Sequence, residues 1–164
     1  MPGFVVDTNV PIAANGRSHA NPACVIACIN ALGSVRSHGI VVLDDAMLIL
    51  KEYMDNLSLS GEPGAGDAFM KWVWNIQGDE NLCERVQLTP RGGPGSGDFI
   101  EFPEDADLAN FDRADRKFVA TALTSEWKPT ILNALDTDWA DSHDALLRNG
   151  LNIRFLCPQH AYPK

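Results

Sequence analysis

Short apolar runs that stop at an aspartate are the feature of this sequence that most constrains its fold. The runs GFVV (3–6), IVVL (40–43) and TILNAL (130–135) are followed directly by Asp7, Asp44 and Asp136. Short apolar runs of this kind are typical of strands buried on both faces of a parallel sheet. Because ligands bind outside the carboxyl ends of such strands, we expect the three aspartates at the ligand-binding edge of the sheet.

Helical patterns separate the apolar runs. Asn21 and Pro22 predict the N-cap and first turn of a helix that continues to His38. Alternating strands and helices indicate an α/β fold, a three-layer α/β/α sandwich with a central, mostly parallel sheet, and 164 residues suit a single domain over 1–164. Further helices are predicted over 46–57, 67–77, 112–127 and 140–149, further strands over 85–88 and 152–156, and an extended segment over 99–102.

The net charge of −9 argues against a broad, positively charged surface that binds nucleic acid. The chain stays acidic even with two divalent cations bound to four carboxylates, so any such contact must be local. No apolar run reaches about 18 residues, and no basic segment precedes a long apolar one at the N-terminus. We therefore expect neither a membrane span nor a secretory signal.

The four cysteines contain no CxxC pair. Cys24 and Cys28 share one face of a predicted helix, which could suit a metal, but no Cys/His pair with finger-like spacing is recognised after them. Buried thiols are therefore the prediction for Cys24 and Cys28, and the four cysteines, which also include Cys83 and Cys157, suit a reducing cytoplasm.

Two further acids stand where a ligand site would need them. The stretch NFDRADRKFVATA (110–122) places Asp112 and Asp115 three residues apart, on one side of the same helix end. Glu52 lies on a predicted helix between Ile49 and Tyr53, where an apolar residue is expected. Asp7, Glu52, Asp115 and Asp136 thus supply acids from four separate segments.

Carboxylates gathered in this way suit hard divalent cations. Mg²⁺ and Mn²⁺ prefer oxygen ligands, and two such ions about 3.5–4 Å apart can activate a water molecule and stabilise the leaving oxygen of a phosphodiester. Arg113, Arg116 and Lys117 stand beside the acids and either hold phosphate or face solvent.

Each acid also has a purely structural interpretation. Asp112 can be an N-cap with Asp115 as the acid three residues later in a capping-box-like pair. Asp7 can close the turn after its strand, and Asp136 with Asp138 can form a turn that caps the next helix. These alternatives stay open for each residue alone; the joint arrangement favours a metal site.

Four segments resemble the PIN-domain nuclease family: FVVDTN (4–9), the helix over 43–53 that ends in KEY, DRKFVATA (115–122) and LDTDW (135–139). The segment 57–104 is unmatched and is interpreted as a divergent insertion. The resemblance implies that the family's metal-binding catalytic acids are Asp7, Glu52, Asp115 and Asp136. It also implies an additional metal acid at Asp138 and auxiliary roles for Thr8 and Asn9. Asp112 is additional to the family's four-acid pattern, and we expect it to assist the site as an auxiliary residue.

The resemblance further implies an endoribonuclease that depends on Mg²⁺ or Mn²⁺ and hydrolyses RNA with a metal-activated water. Many bacterial relatives are VapC-like toxins, so an antitoxin protein, a homodimer and a cytoplasmic location are further expectations. The alternative is a catalytically silent PIN-like module whose acidic face binds a basic segment of a partner. A phosphatase with Asp7 as nucleophile is also conceivable, but Asn9 stands where its general acid is expected.

Overall fold

Five short strands form one parallel sheet in the computed structural model, which describes residues 1–161. The strands are β1 (Gly3–Val6), β2 (Ile40–Asp44), β3 (Cys83–Val86), β4 (Thr130–Asn133) and β5 (Asn152–Phe155), in the order β3-β2-β1-β4-β5. All four pairings are parallel. Every residue of β1 and β2 is buried, and this explains the uninterrupted apolar runs in the sequence of these strands.

Helices cover both faces of the sheet, and the predicted α/β/α sandwich is confirmed. They are α1 (Asn9–Ala14), α2 (Pro22–His38), α3 (Leu48–Asn56), α4 (Ala65–Ile76), α5 (Arg116–Thr124), α6 (Thr137–Asp141), α7 (His143–Arg148) and α8 (Pro158–Ala161). Helices α1, α2 and α4 pack against one another, whereas α5 lies against β1, β2 and β4. Among the described residues, no helix combines the length and apolar character needed to cross a bilayer.

The strand order reverses next to β1. The chain moves outward in one direction through β2 and β3, returns through α5 to β4 on the other side of β1, and continues outward to β5. Right-handed crossovers then place α2 and α4 on one face and α5 on the other. The carboxyl ends of β1 and β4 therefore flank the switch point, where ligands bind in open α/β sheets.

Several predicted boundaries need correction. The helix predicted over 112–127 begins as a 3₁₀ turn (Arg113–Asp115) and ends at Thr124, and the helix predicted over 140–149 is two short helices that meet at Ser142. The strand predicted over 85–88 lies two residues earlier. The segment 99–102 is not a strand of the sheet, because it makes only an isolated antiparallel bridge between Pro90 and Phe99.

The prediction of buried thiols at Cys24 and Cys28 is confirmed for Cys28 and wrong for Cys24. Cys24 on α2 and Cys157 before α8 form a disulfide across 133 residues, with their Cα atoms 5.3 Å apart. Cys28 and Cys83 are free and buried, and burial raises the pKa of their thiols to about 12 and about 11. The segment interpreted as an insertion supplies α4 and the edge strand β3, so it is part of the sheet structure.

Candidate functional site at the carboxyl ends of β1 and β4

Three of the four predicted acids meet at the switch point. Asp7 follows β1, Asp115 ends the 3₁₀ turn before α5, and Asp136 is the N-cap of α6 just after β4. Each offers a carboxylate oxygen that lies within 4.8 Å of those of the other two. The site is thus assembled from segments that are more than 100 residues apart at its extremes.

Asp7 is held in place from two sides. It is only 5% exposed. Its Oδ1 accepts the backbone N–H of Asn9 at 2.9 Å, and its Oδ2 accepts the indole N–H of Trp139 at 3.0 Å. Burial, followed by the charges of Glu52 and Asp136, raises the pKa of this carboxyl to about 7 against these hydrogen bonds.

The pKa of the Asp115 carboxyl is raised further than that of Asp7. Burial is the first cause, the negative charges of Asp7 and Asp136 add to it, and a hydrogen bond with Asp136 favours the protonated form, so that the pKa rises to about 9. The capping alternative for Asp115 is not supported, since it makes no side-chain cap hydrogen bond to α5. Asp112 does cap, because its Oδ1 accepts the N–H of Ala114 at 3.0 Å.

Asp136 has a structural role as well as a place in the cluster. Its Oδ1 accepts the N–H of Asp138 at 2.9 Å, which is the predicted turn and cap. Asp138 itself is exposed and is not one of the three clustered acids. The negative charge of Asp136, with smaller effects of burial and of Asp112, raises the pKa of Asp138.

Glu52 lies beside the cluster and not within the group of three. The hydroxyl of Thr8 donates a short hydrogen bond to its Oε2, and the Nζ of Lys117 lies 2.9 Å from its Oε1. Thr8 follows Asp7 directly, so the predicted polar neighbour connects this glutamate to the first acid. Lys117 partly neutralises the side of the site that faces α3.

A pair of asparagines fixes the spacing of the two strand ends. Asn9 Nδ2 donates to Asn133 Oδ1 at 2.6 Å, and Asn9 Oδ1 accepts the N–H of Ala134 at 2.9 Å. Asn133, fully buried, donates to the carbonyl of Asp136 at 3.2 Å. No sequence pattern predicts a role for Asn133 or Trp139, although Asn133 stands out as a polar residue inside an otherwise apolar strand.

The basic residues beside the acids divide into two groups. Arg116 is 8% exposed, lies 3.0 Å from Asp98 and donates to the carbonyls of Ala109 and Phe111, so it neither faces solvent nor reaches the acids. Lys117 and the exposed Arg113 instead line a groove of about 410 Å³ that opens next to Glu52. The remaining walls come from α3 and the Gly/Pro-rich loop over 90–97.

Comparison with known proteins does not extend the assignment. Scans against protein-family models, curated proteins and solved structures returned no match for this chain. The resemblance to PIN-domain nucleases therefore stays a prediction.

Proposed function

We propose that this protein is an endoribonuclease that depends on Mg²⁺ or Mn²⁺, as the resemblance to PIN-domain nucleases implies. The observation that carries the proposal is the convergence of Asp7, Asp115 and Asp136 at the switch point of the sheet. Burial and the charges of neighbouring acids raise the pKa values of two of these three carboxylates, Asp7 and Asp115, and a divalent cation would relieve this unfavourable arrangement.

The donor set suits hard cations. All three groups offer oxygen, which Mg²⁺ and Mn²⁺ prefer, and among the described residues no cysteine or histidine belongs to this cluster. Asp7, Asp115 and Asp136 would hold the cation directly, while Glu52 and Asp138 lie at the margins. When bound, divalent cations supply the Lewis acidity that phosphodiester hydrolysis needs.

The side chains around the acids orient them for this role. The indole of Trp139 and the backbone of Asn9 hold the two oxygens of Asp7, and the Asn9–Asn133 pair keeps the ends of β1 and β4 at a constant separation. Lys117 and Arg113 provide cationic groups in the adjacent groove, where they can contact phosphates of an RNA strand. Local contacts of this kind are compatible with an acidic chain.

Cleavage of mixed RNA in the presence of Mn²⁺ tests the proposal. Wild type should cleave and lose activity with a chelator, and Asp115→Asn should lose at least about 100-fold, as expected when a group that stabilises the transition state is removed. Asp79→Asn is a matched control, since this exposed aspartate caps a turn at the opposite edge of the sheet. Equal cleavage by wild type and Asp115→Asn would refute the mechanism, and cation binding without cleavage would favour the silent PIN-like module.

An antitoxin, a homodimer and a cytoplasmic location remain predictions.

A further inference from the structure

A second cluster of metal-binding side chains lies at the start of α2, away from the acids. Cys24 and Cys28 are one helical turn apart, and Cys157 reaches them from the segment before α8. The three Sγ atoms lie within 4.8 Å of one another, and each residue is at most 1% exposed. The disulfide uses Cys24 and Cys157, and the Cys28 sulfur lies 4.0 Å from that of Cys157.

Two imidazoles stand at the same end of the helix. His160 follows Cys157 by three residues, and its Nε2 accepts the N–H of Asn21, the N-cap of α2, at 3.5 Å. The ring of His19 lies 5.6 Å from the ring of His160, centroid to centroid. Three separate parts of the chain therefore meet at one helix end, where the two imidazoles lie close to, but outside, the group of three sulfurs within 4.8 Å of one another.

Two residue pairs along the chain supply the ligands of a possible Cys₃His site. Cys24 and Cys28 have three residues between them, a spacing that structural zinc sites use, and Cys157 with His160, two residues between them, is a Cys/His pair that the sequence pattern alone did not indicate. With Zn–S bonds of about 2.3 Å, two sulfurs of a tetrahedral site lie about 3.8 Å apart. The Cys28–Cys157 separation of 4.0 Å is already close to this value.

We propose that the reduced chain binds one Zn²⁺ ion through Cys24, Cys28, Cys157 and His160. A dithiol opens the Cys24–Cys157 bond by exchange, so that two electrons and two protons pass to the cysteines and the dithiol leaves as its own disulfide. Zn²⁺ then displaces the protons of three thiols, which are released to solvent. Three thiolates, a neutral imidazole and the dication carry a net charge of −1.

The inference is independent of the nuclease proposal. The oxidised chain joins α8 to α2 by the disulfide, and the reduced chain joins the same two helices through the metal. The C-terminal helix is then attached in either redox environment, and this would reconcile a disulfide in the structure with a reducing cytoplasm.

Cobalt provides a direct spectroscopic test on the full chain. The protein is freed of metal, reduced with a phosphine without oxygen, checked for four accessible thiols after denaturation, and titrated with Co²⁺. The proposal predicts a sulfur-to-cobalt charge-transfer band and tetrahedral visible bands that saturate at one Co²⁺ per chain and disappear when Zn²⁺ is added. The unreduced chain should show neither band. Cobalt at the acidic cluster would give no sulfur band, so the two sites are distinguished.

Variants identify the ligands. Cys28→Ser should weaken Co²⁺ binding at least about 10-fold, since losing an outer-shell partner alone has that effect, and His160→Ala should change the visible bands. Cys83→Ser is the matched control, because Cys83 is also a buried free thiol but lies on β3. Circular dichroism checks that each variant folds. If Cys28→Ser does not fold, the presence or absence of the charge-transfer band in reduced and oxidised wild type still tests the proposal. A reduced wild-type chain without the charge-transfer band, or a folded Cys28→Ser with unchanged affinity, would overturn the proposal.

Discussion

Replacing Asp115 by Asn should stabilise the metal-free protein, and by an amount that grows with pH. The folded-state pKa of Asp115 is raised to about 9, whereas an unperturbed aspartate has a pKa near 3.8. The folded state therefore holds more protons than the unfolded state between these values. The contribution of this group is fully present below about pH 3.8 and is lost as the pH rises to about 9. Asparagine resembles the protonated acid and does not titrate.

The magnitude follows from the size of that pH window. Each pH unit within it corresponds to about 1.4 kcal/mol for one fully independent group. Asp115 interacts with Asp7, whose pKa is also raised, so the pH-dependent contributions of these two groups overlap and the difference at pH 7 is smaller than the independent value. We expect Asp115→Asn to exceed wild type by about 2 kcal/mol at pH 7 and by close to zero at pH 4. A chain of this size should then melt about 4–8 °C higher at pH 7.

Thermal unfolding in a chelator, with the disulfide intact, measures this difference from pH 4 to pH 8. Asp112→Asn is the matched control, since this exposed residue lies three positions earlier and asparagine also caps helices well. Its stability should stay within about 0.5 kcal/mol of wild type at every pH. An Asp115→Asn variant that is no more stable than wild type at pH 8 would refute the idea that burial and mutual repulsion strain the metal-free cluster. Added Mn²⁺ should stabilise wild type more than the variant.

Three further predictions concern the scaffold and the orientation of the acids. Arg116→Met should destabilise the fold by about 3 kcal/mol in urea unfolding, because it leaves the half-buried Asp98 and two backbone carbonyls without their buried guanidinium partner. Lys51→Ala, in an exposed ion pair, should cost less than about 1 kcal/mol, and similar losses for both variants would contradict this. Gly66→Ala should prevent normal packing of α4, because the added Cβ would lie 1.9 Å from a backbone oxygen of α1. Gly33 lies in open space on α2, so Gly33→Ala should stabilise the fold by about 0.5–1 kcal/mol. Thermal melting measures both effects. Trp139→Phe should weaken Mn²⁺ binding about 10-fold in a titration, because the indole N–H no longer orients the first acid; unchanged binding would exclude that role.

The strands and caps were predictable because they depend on local features of the sequence. Burial on both faces leaves a strand uninterrupted by polar residues, as in β1 and β2, and the pattern reveals it directly. The side chain of Asn21 accepts the backbone N–H of Cys24, three residues later, and the side chain of Asp112 accepts that of Ala114, two residues later. The segment at 99–102 was predicted less well, since a short apolar run does not reveal whether a strand neighbour exists.

The acids that follow β1 and β2 have different contacts, which local sequence patterns do not predict. Both Asp7 and Asp44 follow a buried apolar run, so the sequence alone treats them alike. Asp44, however, accepts the N–H groups of Leu48 and Ile49 at 2.9 Å each and serves the start of α3. Asp7 meets acids from distant segments, because β1 and not β2 lies at the reversal of the strand order.

The sequence by itself determined the α/β class, the buried strands and the placement of aspartates at their ends, because periodicity and composition record burial along the chain. Only the tertiary structure decided that Asp115 joins Asp7 and Asp136, that Glu52 is held by Thr8 and Lys117, and that Cys157 reaches Cys24. These contacts join residues 21 to 133 positions apart. They depend on strand order and crossover direction, which no local pattern specifies.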